Sequence, residues 1–404
     1  MEVRNSILHD EHVALKGRMA AFAGYNMPLW YSSIKSEHQV VRRAAGLFDC
    51  THMGCLGFSG PDAATFLNFI TTNNVDALTD GRAQYSYLLH ESGHVHDDIL
   101  VYRVAEQDYL MVVNAANEAK VKDWFSSLTP GRQTRDGAVP AVPTVIDLRD
   151  GKLGDAGRVD LALQGPASTS ILRKLLPDTE AAGLDNLKPF RFFTSQLDGA
   201  DAIISRTGYT GAAQGYELFV PPHKAPAIWR NLLDAGRQDG LRPCGLGCRD
   251  SLRIEAGLPL YGHELAGKFD IGPIEAGYGW AVKLDKGEFI GKSACRDSAP
   301  TYDKGVLRLT FPAGKGHRPL REGDAILDTD ATGLGWILSS TTVDQRQIAL
   351  AWIRKGKAVG DTVGAYYVAR NQRHLDEGRL QNLDIGEQAT VEISGQVADR
   401  FERF

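Results

Sequence analysis

The chain contains Leu161-Ala162-Leu163-Gln164-Gly165-Pro166, an apolar run that ends at a Gly-Pro pair and is followed by apolar residues at 171, 172 and 175. This order predicts a strand, a tight turn and a helix, because proline fits the first helical turn. The same order occurs earlier, where Gly57-Phe58-Ser59-Gly60-Pro61 precedes apolar residues at 63, 66, 67 and 70. The two units predict mixed α and β structure and suggest an internal structural repeat.

Between these units lie two β-rich runs, residues 99–104 and 109–114, joined by the polar link Ala105-Glu106-Gln107-Asp108. This pattern predicts a β-hairpin. Upstream, apolar residues at helical spacing predict a helix over 36–46, with Ser36 as its N-cap.

The length of 404 residues is sufficient for two to three domains. From about Ala299 onward, short β-like runs alternate with glycine turns. This change in character predicts a separate, mostly β C-terminal domain.

The charge balance excludes one broad class of partner. The chain carries 45 Lys and Arg against 50 Asp and Glu, a net charge of −5. A nucleic-acid binder that relies on a general basic surface is therefore not expected. No apolar run reaches about 18 residues, and the N-terminus lacks an apolar signal core, so neither a membrane span nor secretion is expected. These features predict a cytoplasmic protein.

Five cysteines are too few, and odd in number, for a disulfide framework. Cys50, His52 and Cys55, together with Cys244 and Cys248, raise the question of zinc. Their spacings differ from the usual C-x2-C pattern, so no metal is predicted, and the cysteines are expected to be small buried side chains.

The run Gly287-Glu288-Phe289-Ile290-Gly291-Lys292-Ser293 resembles a phosphate-binding loop. Only three residues separate its glycines, whereas wrapping a phosphate requires four. It is interpreted as a surface turn ahead of a short helix. A dinucleotide site is not supported either, because no G-x-G-x-x-G opens a helix after a strand.

Four pairs of segments combine charged residues with glycines and tyrosines at predicted strand ends. They are residues 24–28 with 48–54, 97–102 with 112–117, 206–211 with 215–218, and 244–253 with 255–262. Carboxylates pair with amidine-like edges, arginines pair with carboxylates, and tyrosines offer stacking faces. The set suits a flat, polar, partly anionic ligand. Taken singly, each has a structural alternative: Asp97-Asp98 could form a solvated turn, and Arg249 could pair with Asp250 or Glu255.

In this order the segments resemble the glycine-cleavage T-protein family of tetrahydrofolate-dependent aminomethyltransferases, whose wider family includes folate-dependent demethylases. The runs 97–102, 206–211 and 245–257 carry the resemblance, which extends from about residue 20 to about residue 294. It implies an α+β fold of three mixed α/β domains in a cloverleaf around a folate channel, with a C-terminal β-barrel-like domain. The expected domains are 1–52 plus 156–275, then 53–155, then 276–404.

The resemblance also implies roles for individual residues. Asp98 would be the catalytic carboxylate near N5 and N10 of the pterin, Glu217 would hold the pterin edge, and Arg249 would bind toward the substrate and folate. The remaining expected pocket residues are Met53, Tyr85, Asn114 and Tyr209. A fixed anion stabilises positive charge that develops on the one-carbon centre, so no metal is required.

Three functions follow from the resemblance. The first is aminomethyl transfer in the glycine cleavage system, with a lipoylated carrier protein as partner, ammonia released and 5,10-methylene-tetrahydrofolate formed. The second is folate-dependent demethylation of a small O-, N- or S-methyl compound. The third is non-catalytic folate binding for iron–sulfur assembly, which ranks low because residues 286–293 lack the cysteine of that group. The intact Asp97-Asp98 pair favours aminomethyl transfer.

The chain departs from the family pattern in three places. Ala212-Ala213-Gln214 replaces the usual acidic residue after Gly211, residues 338–342 replace a Thr-Ser-Gly run, and residues 398–404 lack the usual tyrosine-bearing ending.

Overall fold

The computed structural model describes residues 3–404, which fall into two compact units. One comprises the chain up to Asp250 together with Ala281–Arg296 and Phe404. The other comprises Ser251–Trp280 and Asp297–Arg403.

Strands supply most of the framework in both units. In chain order they are β1 (Arg4–Asn5), β2 (Arg18–Phe22), β3 (Tyr25–Trp30), β4 (Gly46–Asp49), β5 (Gly54–Ser59), β6 (Arg82–Leu89), β7 (Val95–Ala105), β8 (Asp108–Val113), β9 (Gln133–Thr134), β10 (Gly137–Ala138), β11 (Thr144–Asp147), β12 (Val159–Gln164), β13 (Phe192–Leu197), β14 (Ala200–Ser205), β15 (Gly215–Val220), β16 (Arg242–Cys244), β17 (Lys304–Pro312), β18 (Ala325–Leu327), β19 (Gly333–Val343), β20 (Arg346–Arg354), β21 (Thr362–Tyr366) and β22 (Ile393–Ala398).

Helices are shorter and lie between the strands. The α-helices are α1 (His9–Ala14), α2 (Ile34–Arg43), α3 (Ala63–Ile70), α4 (Glu118–Ser127), α5 (Ser168–Arg173), α6 (Asp178–Ala181), α7 (Ala225–Ala235), α8 (Leu246–Ala256), α9 (Lys292–Ser298) and α10 (Gln372–Asp376). Short 3-10 helices cover Val75–Ala77, Gly151–Ala156, Leu184–Asn186, Pro222–Lys224, Gly267–Phe269, Gly279–Ala281 and Ala299–Thr301.

The first unit is built on two large sheets, and it also contains a three-stranded sheet, β1-β3-β2, and a two-stranded one, β10-β9. A six-stranded sheet has the order β13-β14-β15-β12-β4-β16, and a five-stranded sheet has the order β11-β5-β8-β7-β6. Both predicted Gly-Pro units are present, because β5 leads into α3 and β12 leads into α5. The predicted hairpin is also confirmed as β7 and β8, paired antiparallel from Leu100↔Val112 to Ala105↔Asp108.

The two sheets pack against each other through one apolar cluster. Its buried members come from both sheets and are Cys55, Ala83, Tyr102, Leu110, Val112, Phe192, Ile203 and Phe219. Alternate residues of a strand point to opposite faces, so the same inner face of β7 that carries Tyr102 also carries Leu100 and Asp98. This inner face positions the candidate site.

The second unit contains a closed barrel of six strands in the order β17-β20-β19-β18-β21-β22, closed by pairing of β22 with β17. Its interior includes Leu309, Ile337, Ala351 and Val363, which are fully buried. The barrel confirms the predicted mostly β C-terminal region. Together with the sheets and helices of the first unit it confirms the α+β fold class, while the three domain boundaries stay a prediction.

The structure corrects two local predictions. Helix α2 starts two residues before Ser36, and its N-cap is Ser33, whose side chain accepts the Ser36 N–H at 3.1 Å. The 287–293 turn is only partly at the surface, because Phe289 and Lys292 are buried.

The turn is buried because Lys286, directly before it, holds it against a neighbouring segment. Its Nζ donates to the backbone oxygens of Asn68 (2.6 Å), Thr71 (2.5 Å) and Asn73 (2.8 Å), and to Asn68 Oδ1 (3.1 Å). These bonds hold the turn against the segment that follows α3. The short helix expected after the turn is α9.

All five cysteines are buried free thiols. Among residues 3–404, no helix combines the length and apolar character needed to cross a bilayer.

Candidate active site

Asp98 lies on the inner face of β7, half-buried, with its carboxylate held by two donors. Its Oδ2 accepts the Tyr85 hydroxyl at 3.0 Å, and its Oδ1 accepts Asn114 Nδ2 at 2.8 Å. Tyr85 belongs to β6 and Asn114 directly follows β8, so the neighbouring strands of the sheet fix this carboxylate in one orientation.

Asp97, the preceding residue, belongs to the same hydrogen-bond network. It is fully buried, and its carboxylate accepts the Asn114 N–H at 3.0 Å, Asn114 Nδ2 at 2.9 Å and Asn117 Nδ2 at 2.5 Å. Asn114 therefore bridges both carboxylates. The alternative of a solvated turn is wrong, because both aspartates lie within β7.

Burial has the largest effect on the pKa values of Asp97 and Asp98. Burial, and then the charge of Asp98, raise the pKa of Asp97 to about 7. Burial also raises the pKa of Asp98, against the lowering effect of the bonds from Tyr85 and Asn114. Two carboxylates this close share their protons as a pair.

Glu217 lies on the inner face of β15 and is joined to the opposite sheet. The hydroxyl of the fully buried Tyr102 donates to Glu217 Oε2 at 3.4 Å and lies 3.3 Å from Thr207 Oγ1. Burial and the charge of Glu217 raise the pKa of Tyr102 well above its usual value, so the phenol stays protonated. Asp98 and Tyr102 are four residues apart along β7, which is about 13 Å of backbone at strand spacing.

The loop between β14 and β15 is fixed by Gln164, the last residue of β12. Its Nε2 donates to the Thr207 carbonyl at 3.2 Å, and its Oε1 accepts the Thr210 hydroxyl at 2.8 Å. A Cβ at Gly208 would lie 2.1 Å from Gln164 Oε1, so a larger residue there would displace the Gln164 amide from these bonds. This loop carries Tyr209.

Arg249, in α8, is close enough to Glu217 for their charges to interact. Its guanidinium lies 5.2 Å from the centre of the Tyr209 ring, a cation–π distance. Its Nη1 is buried and has no hydrogen-bond partner among residues 3–404. A buried guanidinium N–H without a partner is suited to a ligand atom.

Two further titratable groups are close enough to Arg249 to sense its charge. Burial raises the pKa of Cys50 well above its usual value, so this thiol is a poor nucleophile. Burial lowers the pKa of His52 to about 4, so its ring is neutral near pH 7.

Asp160 is an acid at this site that the sequence analysis missed. It is 2 % exposed in β12 and faces Glu217, Arg249 and Asp49. The available signal was one acidic residue inside the apolar run that starts at Val159.

The structure thus divides the predicted residues into two connected groups. Asp98, Tyr85 and Asn114 lie on the five-stranded sheet, whereas Glu217, Tyr209 and Arg249 form the second group, next to the six-stranded sheet. Tyr102 joins them, and Met53 packs on the apolar cluster between the sheets.

The cysteine pairs considered for zinc do not come together as one set. Within residues 3–404, Cys244 and Cys248 lie with Glu37, with possible ligand atoms within 4.8 Å of one another. Glu37 already accepts the backbone N–H of Tyr31 at 2.6 Å and that of Gly245 at 2.9 Å. These bonds account for the buried carboxylate, and burial raises the pKa of Cys244 well above its usual value.

Comparison with known proteins identifies the family of the chain. Residues 8–286 match the model of the GCVT N-terminal domain, which covers most of the chain. The chain belongs to the GCVT family. Its place in this family confirms the resemblance expected from the sequence.

Relatives of this GCVT protein share most of its length. An aminomethyltransferase of Chloroherpeton thalassium is 40% identical over 388 residues, covering 96% of this chain and 97% of the relative. An aminomethyltransferase of Saccharopolyspora erythraea is 38% identical over 394 residues, covering 96% of both. The crystal structure of the glycine cleavage system aminomethyltransferase T from Bartonella henselae matches with a TM-score of 0.78 at 28% identity, over the full length of both chains.

Proposed function

We propose that this chain is the tetrahydrofolate-dependent aminomethyltransferase of a glycine cleavage system. The observation that carries the proposal is the half-buried Asp98 carboxylate, held by Tyr85 and Asn114 on the inner face that leads to Glu217. The family and the names of relatives at about 40% identity support it.

The residues present fit a reduced folate. A pterin offers adjacent N–H donors and a carbonyl oxygen on one edge, which match the Glu217 carboxylate and the unpartnered Nη1 of Arg249. The ring of Tyr209 adds an aromatic face for stacking. When bound, tetrahydrofolate supplies the nitrogen nucleophiles that accept the one-carbon unit.

In this proposal, Asp98 is the residue that acts in the reaction itself. A negative charge fixed in a partly desolvated site stabilises positive charge that develops next to it during aminomethyl transfer. Its two hydrogen bonds hold the carboxylate in place, so little reorganisation is needed. Cys50 takes no covalent part, since burial keeps it as a thiol.

The partner in this proposal is a carrier protein whose lipoyl arm delivers the aminomethyl group. Contact with such a carrier is expected to be transient, with less than about 1,200 Å² of buried surface. A demethylase would instead enclose a small methylated donor among apolar and aromatic side chains.

Two measurements test the proposal. Calorimetry with 5-formyl-tetrahydrofolate should give a dissociation constant in the low micromolar range or tighter, about 7–8 kcal/mol of binding free energy. The reverse reaction, with lipoylated carrier, ammonia and 5,10-methylene-tetrahydrofolate, should consume the folate only when the carrier is present. No heat and no thermal stabilisation at millimolar ligand would contradict the folate site. Folate binding without carrier-dependent turnover would instead favour demethylation, with 5-methyl-tetrahydrofolate as the product.

A further inference from the structure

We propose that Asp160 is a second ligand-binding acid of this site, which stays neutral and donates a hydrogen bond to an acceptor on the ligand edge that Glu217 holds. This inference rests on the proposed folate site. It adds a residue that neither the family resemblance nor the comparisons assign.

The position of Asp160 follows from the strand register. Asp160 pairs with Phe219, and Ala162, two residues on, pairs with Glu217 in the neighbouring strand β15. Alternate residues share a face, so Asp160, Phe219 and Glu217 lie on the inner face of the six-stranded sheet. Leu161 and Leu163 point the other way, into a separate apolar core that includes Ile171 and Trp229.

The hydrogen bonding of Asp160 is incomplete. The buried Oδ1 of its carboxyl has no hydrogen-bond partner among residues 3–404. Leaving a buried polar atom unpaired costs about 1–3 kcal/mol. A ligand atom that pairs with Oδ1 would recover this free energy on binding.

The charges around Asp160 determine its protonation. Burial, and then the charge of Glu217, raise its pKa well above the usual range, against the lowering effect of Arg249. Asp49 is a further acid that raises this pKa, and Cys50, Cys55 and Tyr102 are the other titratable groups that sense Asp160. Arg249 compensates the charge of Glu217, and Asp49 has its own partner in His12, whose Nε2 lies 2.8 Å from Asp49 Oδ2. The neutral form of Asp160 adds no further negative charge to this group.

In this proposal, three side chains offer a ligand both hydrogen-bond donors and an acceptor. Glu217 accepts, whereas Arg249 and a neutral Asp160 donate. This arrangement selects a heterocycle with both N–H groups and a carbonyl or imine acceptor on one edge, as in a 2-amino-pyrimidinone. A ring with donors only would leave the Asp160 hydroxyl unpaired.

Two variants of the full chain test this role. Asp160→Asn keeps a donor of the same shape, and Asp160→Leu replaces the carboxyl by an apolar group of similar branching. Affinity for 5-formyl-tetrahydrofolate is measured by calorimetry, and the thermal midpoint is measured without ligand. The asparagine variant should bind within threefold of wild type, whereas the leucine variant should bind at least tenfold more weakly, about 1.4 kcal/mol.

The midpoint separates a ligand role from a structural one. A buried carboxyl whose partner is the ligand destabilises the free protein, because its oxygen is then unpaired. Asp160→Leu should therefore unfold at the same temperature as wild type or higher. Wild-type affinity in the leucine variant would overturn the inference, and so would a lowered midpoint in both variants. If Asp160→Leu does not fold, Asp160→Ala takes its place with the same expected loss of affinity. Failure of wild type itself to bind the folate would contradict the proposed function instead.

Discussion

Replacing Asp98 by asparagine removes one charge from the candidate site while keeping its shape. Asparagine can still accept from Asn114 Nδ2 through its oxygen, and its amide can donate to the Tyr85 hydroxyl, which then acts as an acceptor. The side chain therefore keeps two partners, and any change in rate reports the loss of charge.

The size of the effect follows from Coulomb's law. A full charge about 4 Å from a developing positive charge, at an effective dielectric constant of about 20, contributes about 4 kcal/mol. The transition state carries only part of that charge, and removal of comparable fixed groups in enzymes costs about 2.7–4 kcal/mol. We expect the kcat of Asp98→Asn to fall by roughly 100- to 1,000-fold, with folate affinity little changed.

The assay is single turnover with lipoyl-bound aminomethyl donor and saturating tetrahydrofolate, followed by formation of 5,10-methylene-tetrahydrofolate. The matched control is Tyr85→Phe, which removes one hydrogen bond from Asp98 but leaves its charge. The control should lose about tenfold or less, and its rate profile should shift to higher pH because the phenol no longer lowers the pKa of Asp98. A kcat within fivefold of wild type in Asp98→Asn, with normal folate binding, would refute the electrostatic role.

Three other substitutions have defined outcomes. Glu217→Gln should weaken folate binding by about 1.5–3 kcal/mol in calorimetry, with a smaller effect on kcat at saturation; unchanged affinity would contradict its role. Burial and Asp98 raise the pKa of Asp97 to about 7, so the folded chain keeps a proton that the unfolded chain loses near pH 4. The stability from this group is present below about pH 4 and lost as the pH rises through about 7, and thermal unfolding of Asp97→Asn should show a flatter pH dependence than wild type. Lys286→Met should lower the free energy of unfolding by about 2–4 kcal/mol in urea, because it leaves several buried oxygens unpaired; a loss under about 0.5 kcal/mol would disprove this role of Lys286.

Local patterns predicted much of the fold. The Gly-Pro units, the hairpin of β7 and β8 and the mostly β character of the C-terminal region follow from short-range turn chemistry and alternation. That these last strands close into a barrel came from the family resemblance. The Ser36 cap was wrong by three residues, because two serines compete at the start of α2 and backbone geometry selects Ser33.

The candidate site depends on long-range pairing, which a single sequence does not specify. The run 97–102 reveals two acids, but not that Asn114 and Asn117 reach across to hold Asp97. Nor does it show that Tyr102 meets Glu217, 115 residues away, once the two sheets pack together. The sequence alone did not identify Asp160 as a site residue, because the register of β12 with β15 is what places it near Glu217.

The five buried cysteines give the first unit a set of native reporters of local opening. All lie in that unit, and none is accessible to a thiol reagent in the closed state. Pulsed alkylation would therefore modify each thiol only when its surroundings open, and the rates would map which segments separate first. Cys50 is the informative one, since it faces Arg249 and Glu217, and a ligand bound there should slow its modification while leaving Cys295 in α9 unaffected.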